Sequence, residues 1–198
     1  MLEAQGLGII RGERPVFAGL DLGVAAGEAL VLRGPNGAGK STLLRLLAGL
    51  LSASAGRITW NGAAIDEDHG RRLRYAGHGD ALKPALTARE NLAFWARFEG
   101  GGAVDGALDR LGLSTLADLP AGILSAGQKR RLGLARLALG PRPLWLLDEP
   151  TVSLDAAAVE MLAGLIADHR AGGGMVVVAT HDGLALEDAR TLVLEKAS

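Results

Sequence analysis

The chain has 198 residues, 48% of them apolar, which is ample for a packed core, and its zero cysteines exclude disulfides, thiolate metal sites and cysteine nucleophiles. Lys and Arg total 21 against 22 Asp and Glu, so a net charge of -1 offers no global field for nucleic acid or an anionic membrane, and no nucleic-acid partner is expected. The 29 glycines are dispersed among apolar runs without a collagen period, which points to tight turns and close backbone approaches rather than disorder.

The opening MLEAQGLGII lacks the basic-then-apolar pattern of a secretory leader, and the chain is expected to start at Met1. No run approaches the length of a membrane span; residues 18–32 are broken by Asp21 and Glu28, so a membrane role would need a spanning partner. Residues 20–24 and 28–33 read as strands joined by Ala25-Ala26-Gly27. The second runs into a glycine-rich loop and the apolar stretch 41–50, giving strand, loop, helix. Residues 56–60 and 63–65 flank Asn61-Gly62, a strong hairpin signal, which predicts a small antiparallel β lobe. Residues 88–140 read as a mainly helical insertion, broken at Gly100-Gly101-Gly102 and Leu119-Pro120-Ala121-Gly122. Residues 144–147, 176–179 and 191–194 are short apolar strands, and the helical stretch 155–170 separates the first two. The pattern predicts an α/β domain with a parallel sheet, spanning 1–198 as one unit.

Gly34-Pro35-Asn36-Gly37-Ala38-Gly39-Lys40-Ser41 matches G-x-x-x-x-G-K-[ST], in which glycines let backbone N–H groups wrap phosphate oxygens while Lys40 neutralises β and γ charge. Ser41 would give a hydroxyl to Mg²⁺, and Thr42 follows on the same turn. Lysine is scarce, present only at 40, 83, 129 and 196, so its presence in this slot is hard to read as a solvated face. Leu144-Trp145-Leu146-Leu147 ends in Asp148 and Glu149, at the sheet edge where α/β folds bind ligands. Asp148 suits the Mg²⁺ shell, and Glu149 can orient and deprotonate water. Two adjacent carboxylates favour hydrolysis over transfer to an acceptor, and no N-K-x-D segment for guanine is present. Ser125-Ala126-Gly127-Gln128 reads, taken alone, as a capping box opening the helix 129–139, which Gly140 and Pro141 end.

Preceded by Leu124, the same segment resembles the signature of ABC-type ATPases, and the two readings agree: a capped helix N-terminus offers N–H groups, a hydroxyl and a dipole to an anion. Val152-Ser153-Leu154-Asp155 resembles that family's D-loop, and Thr180-His181-Asp182 stands where its switch histidine sits. The resemblance implies a P-loop NTPase fold with a RecA-like parallel sheet, an N-terminal antiparallel β lobe and a helical subdomain over roughly 88–140. It implies a head-to-tail homodimer in which Ser125, Gly127, Gln128 and Asp155 of one copy complete the ATP site of the other, with His181 on the γ-phosphate.

Two departures stand out. Where the family usually has an aromatic residue to stack on adenine, this chain has Arg11, whose guanidinium plane can stack instead, so looser base selectivity is expected. Aligning Leu86-Thr87-Ala88-Arg89-Glu90-Asn91-Leu92 puts His78 where a glutamine normally meets Mg²⁺ and the attacking water. An imidazole is a poorer Mg²⁺ ligand, so His78 either acts through water, reports coupling to a membrane partner, or is a simple loop histidine. Tyr75-Ala76-Gly77-His78, Leu82-Lys83, Phe94-Trp95 and the run from Leu124 to Arg131 resemble the CcmA family, the ATP-binding subunits of cytochrome c biogenesis. That resemblance implies a peripheral protein on the cytoplasmic face of a bacterial inner membrane, paired with a CcmB-like transmembrane subunit and with CcmC-like, CcmD-like and haem-chaperone components. An ABC transporter with another cargo would share every one of these nucleotide residues, whereas a soluble repair or translation ATPase would need paired cassettes, a long insertion or a basic surface.

Overall fold

The computed structural model describes residues 1–181 and 184–195. Two sheets organise it. The first is antiparallel, in the order β2-β1-β4-β5, built from β1 (Leu2–Arg11), β2 (Arg14–Val24), β4 (Ala55–Trp60) and β5 (Ala63–Ala64). Asn61 and Gly62 both take positive φ, 51° and 83°, so the expected two-residue hairpin turn forms between β4 and β5. β1 was not expected as a strand, and β2 starts at Arg14 rather than at residue 20. The β1–β2 register shifts between Ala4 and Leu7 and again on either side of Ile9, so bulges break the alternation that would mark a strand in sequence.

The second sheet is parallel, in the order β6-β7-β8-β3-β9, from β3 (Ala29–Arg33), β6 (Leu73–Ala76), β7 (Leu144–Asp148), β8 (Met175–Ala179) and β9 (Arg190–Val193). The α/β class and the parallel core are as expected, with β6 as an added edge strand. Both faces are covered, which is why β7 and β8 are apolar at nearly every position. Alternate side chains serve different cores. Val31, Trp145, Leu147, Val176 and Val178 join the helical side, whereas Leu30, Leu32, Leu144, Leu146 and Val177 join α1 (Lys40–Leu47) and the β lobe. Each fully buried Leu contributes about 1.5–3 kcal/mol relative to exposure.

The helical segment packs on the first of these faces as α2 (Ala88–Phe98), α3 (Val104–Arg110) and α4 (Ala126–Ala135), with α5 (Ala156–Ala171) beside β8. α4 begins before the expected residue 129 and tightens into a 3₁₀ turn at Arg136–Ala138. Both α2 and α4 open with a full capping box. Thr87 Oγ1 accepts from Glu90 N while Glu90 Oε2 accepts from Thr87 N, and Ser125 and Gln128 do the same. The buried Asn91 pins the preceding loop, accepting from Lys83 N and donating to the carbonyls of Lys83, Leu86 and Thr87. Arg74 on β6 is 4% exposed and ties the sheet to this segment through Glu99 and the carbonyls of Leu137 and Gly140.

On the same face the His169 ring lies flat on Trp145, with centroids 3.8 Å apart and planes 3° from parallel. Burial pushes the imidazole below its ordinary value, against the opposing effect of the Met175 carbonyl. A histidine held neutral in the fold binds fewer protons than in the unfolded chain. Its stabilising effect is therefore complete above the ordinary value of about 6.5, declines as pH falls through it, and is gone below the depressed folded value. Urea unfolding between pH 8 and pH 5 should show this loss on the acid side, and His169→Gln should flatten the part of the slope due to this ring.

Candidate active site

The loop between β3 and α1 wraps backward because Gly34, Gly37 and Gly39 take φ of 142°, 83° and 98°, a region unfavourable to residues with a Cβ. Space is also closed to larger residues. A Cβ on Gly34 would stand 2.2 Å from Leu194 O, and one on Gly39 would stand 2.7 Å from Val16 Cγ1. The loop delivers Lys40 to the first position of α1, whose first turn carries no acidic residue, so the positive helix end stays available to an anion. Lys40 is buried and its Nζ donates to Gly34 O at 2.7 Å and Pro35 O at 3.3 Å. Ala38 is packed in the core beneath, so it supports the loop from below.

Asp148 ends β7 and is 3% exposed, and Ser41 Oγ donates to its Oδ1 at 2.9 Å. Glu149 follows with φ of 47°, and its N donates to Ala179 O at 2.8 Å, anchoring the turn to β8. His181 leaves the end of β8 between the two. Its backbone N donates to Glu149 Oε2 at 3.3 Å, and its Nε2 lies 3.5 Å from Glu149 Oε1, 2.7 Å from Asn36 Oδ1 and 3.1 Å from Lys40 Nζ. One ring nitrogen serves one such role at a time: it accepts from Lys40 when unprotonated, or donates to Asn36 or Glu149 when it carries the proton. The neighbouring Asp182 lies outside the described residues.

Arg11, Asn36, Gly37, Gly39, Lys40, Ser41, Thr42, Glu149 and His181 line one cavity of about 360 Å³. Arg11 thus lines it, with Val16, and no aromatic side chain among the described residues does. Ser125, Gly127, Gln128 and Asp155 line a different cavity of about 220 Å³ with Arg131 and Leu154. Ser125 Oγ accepts from Gln128 N, a bond that leaves the hydroxyl proton to be donated elsewhere. Asp155 caps α5 through Ala158 N at 2.8 Å. A Cβ on Gly127 would stand 2.8 Å from Ser153 O, so the signature turn and the 152–155 turn touch backbone to backbone. The exposed His78 lines neither cavity.

Two residues beside the site were given no site role in the sequence, although both lie in the segments that resemble CcmA. Tyr75 Oη reaches Asp148 Oδ2 at 3.4 Å; burial pushes this hydroxyl above its ordinary value, with Arg45 opposing the rise and Asp148 adding to it. Arg130 donates to the carbonyls of Asp148, Glu149 and Pro150. The sequence signal for each was its place in a CcmA-like segment, Tyr75 at the start of Tyr75-Ala76-Gly77-His78 and Arg130 in the run from Leu124 to Arg131.

Comparison with known proteins shows what the whole chain is similar to. Residues 17–152 match the sequence model of a family described as ABC transporter. The chain is 56% identical to the cytochrome c biogenesis ATP-binding export protein CcmA of Rhodospirillum rubrum, covering 94% of this chain and 82% of that protein. It is 52% identical to the protein of the same description from Paramagnetospirillum magneticum, over 98% and 93% of the two chains. Among solved structures, a dimeric ATP-binding cassette in a post-hydrolysis state, bound to ADP and Pi, superposes with a TM-score of 0.79 at 26% identity, over 92% and 88%. Lys40→Ala should abolish measurable binding of a fluorescent ATP analogue without preventing folding; unchanged affinity with the native melting temperature would remove Lys40 from the site.

Proposed function

The chain belongs to the ABC transporter family as an ATPase subunit of the CcmA type, and on that premise we propose that two copies pair head to tail, hydrolyse ATP at two composite sites and drive a membrane partner in c-type cytochrome biogenesis. The observation that supports this reading is the division of the predicted residues between two cavities of one chain. Lys40, Ser41, Glu149 and His181 form one half of a site, and Ser125, Gly127, Gln128 and Asp155 the other. A second copy in the opposite sense places each half against its complement.

In such a site the P-loop amides and Lys40 hold the β- and γ-phosphates, and Arg11 lies flat on the base. Ser41 Oγ and Asp148 Oδ1, hard oxygens 2.9 Å apart, suit Mg²⁺ and would hold it there. Bound with the nucleotide, Mg²⁺ neutralises phosphate charge. Glu149 accepts a proton from the attacking water as its oxygen bonds to the γ-phosphorus and the bridge to the β-phosphate breaks, giving ADP and phosphate. His181 steadies the Glu149 carboxylate from its backbone N–H and turns its ring toward the γ-phosphate. The α4 N-terminus of the other copy, with Ser125 and Gly127, faces the same phosphate. His78 acts indirectly, through water or through the partner.

ATP closes the dimer because only the closed form offers both halves, and hydrolysis removes that differential affinity. No helix among the described residues is long and apolar enough to cross a membrane. The proposed setting, carried by the likeness to CcmA proteins, is peripheral, on the cytoplasmic face of the inner membrane, against a CcmB-like subunit with CcmC-like, CcmD-like and haem-chaperone components. ATP turnover there releases the loaded chaperone or exports haem.

Glu149→Gln should keep ATP affinity, slow hydrolysis by at least about 100-fold and accumulate an ATP-bound dimer on size-exclusion chromatography; full turnover would remove Glu149 as the base. Cells whose only copy carries Lys40→Ala should lose haem-stained c-type cytochromes while still making the apoproteins. Unchanged staining would leave an ATPase whose work lies elsewhere.

A further inference from the structure

Arg130 sits in α4, two residues past Gln128, and its side chain runs back from the signature helix to the sheet edge. The side chain is 6% exposed and all of its N–H donors are engaged. Nε donates to Pro150 O at 3.2 Å; Nη1 donates to Gly77 O and to Asp80 Oδ1, both at 3.0 Å; Nη2 donates to Asp148 O at 3.2 Å and Glu149 O at 2.8 Å. Three parts of the site therefore meet on one planar cation: the helix carrying the signature, the loop on either side of His78, and the turn carrying Asp148 and Glu149.

Each contact has a mechanical meaning. The carbonyls of residues 148–150 turn toward the guanidinium while Glu149 holds a φ of 47°, a conformation uncommon for a residue with a side chain. That backbone conformation is also the one in which the Glu149 carboxylate meets the His181 N–H. On the other side, Asp80 supplies the carboxylate that faces this buried cation. The loop is seated tightly there: a Cβ on Gly133, in the next turn of α4, would stand 3.0 Å from Asp80 Cβ and 3.2 Å from Asp80 Cα.

We propose that Arg130 is a positioning residue for hydrolysis: it sets the direction of the Glu149 carboxylate and, through Asp80, makes that direction depend on the seat of the His78 loop against α4. The inference rests on the reading of Glu149 as the base. Nucleotide binding uses the P-loop, which Arg130 does not touch in the hydrogen bonds described, so the strut separates capture of ATP from its cleavage. A displacement of the His78 loop takes Gly77 O and Asp80 away from the guanidinium and loosens its hold on the three carbonyls. Lysine cannot replace it, because three donors from one point do not meet five acceptors spread around a plane.

The test measures kcat, KM, equilibrium affinity for MgATP and melting temperature on the full chain in its purified membrane complex, for Arg130→Lys, Arg130→Gln, Asp80→Asn and the double Asp80→Asn/Arg130→Gln. Both Arg130 variants should lose at least about tenfold in kcat with KM and affinity within about twofold. Asp80→Asn should lose about threefold or more, and the double variant should be no slower than Arg130→Gln, because the two residues act through one contact. Wild-type kcat in Arg130→Lys would overturn the proposal, as would affinity falling in step with kcat, or losses that multiply in the double variant. If the Arg130 variants fail to fold, Asp80→Asn decides, and its unchanged kcat would overturn the proposal. Glu149→Gln is measured alongside. Full turnover there removes the base and this proposal with it, whereas slow Glu149→Gln beside unimpaired Arg130→Lys removes the proposal alone.

Discussion

The hydrogen bond from Ser41 to Asp148, 2.9 Å long between residues 107 apart in sequence, depends on one constraint: parallel strands must end on the same edge. β3 and β7 are not neighbours; β8 lies between them. The segment leaving β8 therefore emerges between those leaving the other two, and His181 is its second residue, after Thr180. Strand order thus decides that a histidine can touch Asn36 and Lys40 on one side and Glu149 on the other. The glycines of the P-loop and the left-handed Glu149 refine distances inside a layout the sheet has already imposed.

Arginines join the helical segment to that sheet and brace it internally. Arg74, Arg130, Arg131 and Arg142 all donate to backbone carbonyls, including those of Leu111, Leu137 and Glu99 near the ends of helical turns, where carbonyls lack partners within the helix. Arg136 lies over the Trp95 ring at 3.4 Å, and burial lowers its guanidinium to about 10. A fork of fixed donors suits this work, because it fixes direction as well as distance.

Much of this was legible in the sequence because the informative residues are forced by local chemistry. A phosphate loop needs its glycines, the Asn61-Gly62 turn needs two positive φ values, and two acids after an apolar strand mark an edge. The first strand was not legible, since its bulges spoil the alternation a half-buried strand would show. β6 was hidden because Arg74, a charge in its middle, is buried against partners far along the chain. For the same reason Arg130 reads as one more cation on an amphipathic helix: its acceptors are backbone carbonyls, and carbonyls leave no mark in a sequence. The division of the site between two cavities was expected from resemblance and not from spacing.

The alternation of β3, β7 and β8 between two cores also bears on how this chain can change over evolutionary time. Substitutions within a strand affect one core at a time, so each can be accommodated by neighbours on its own side. Adding or deleting a single residue in the same strand exchanges inward and outward sets at once and spoils both. Drift in chain length should therefore collect in surface loops such as the one around Gly100 and Gly101, and the central strands should keep their length even where their residues vary.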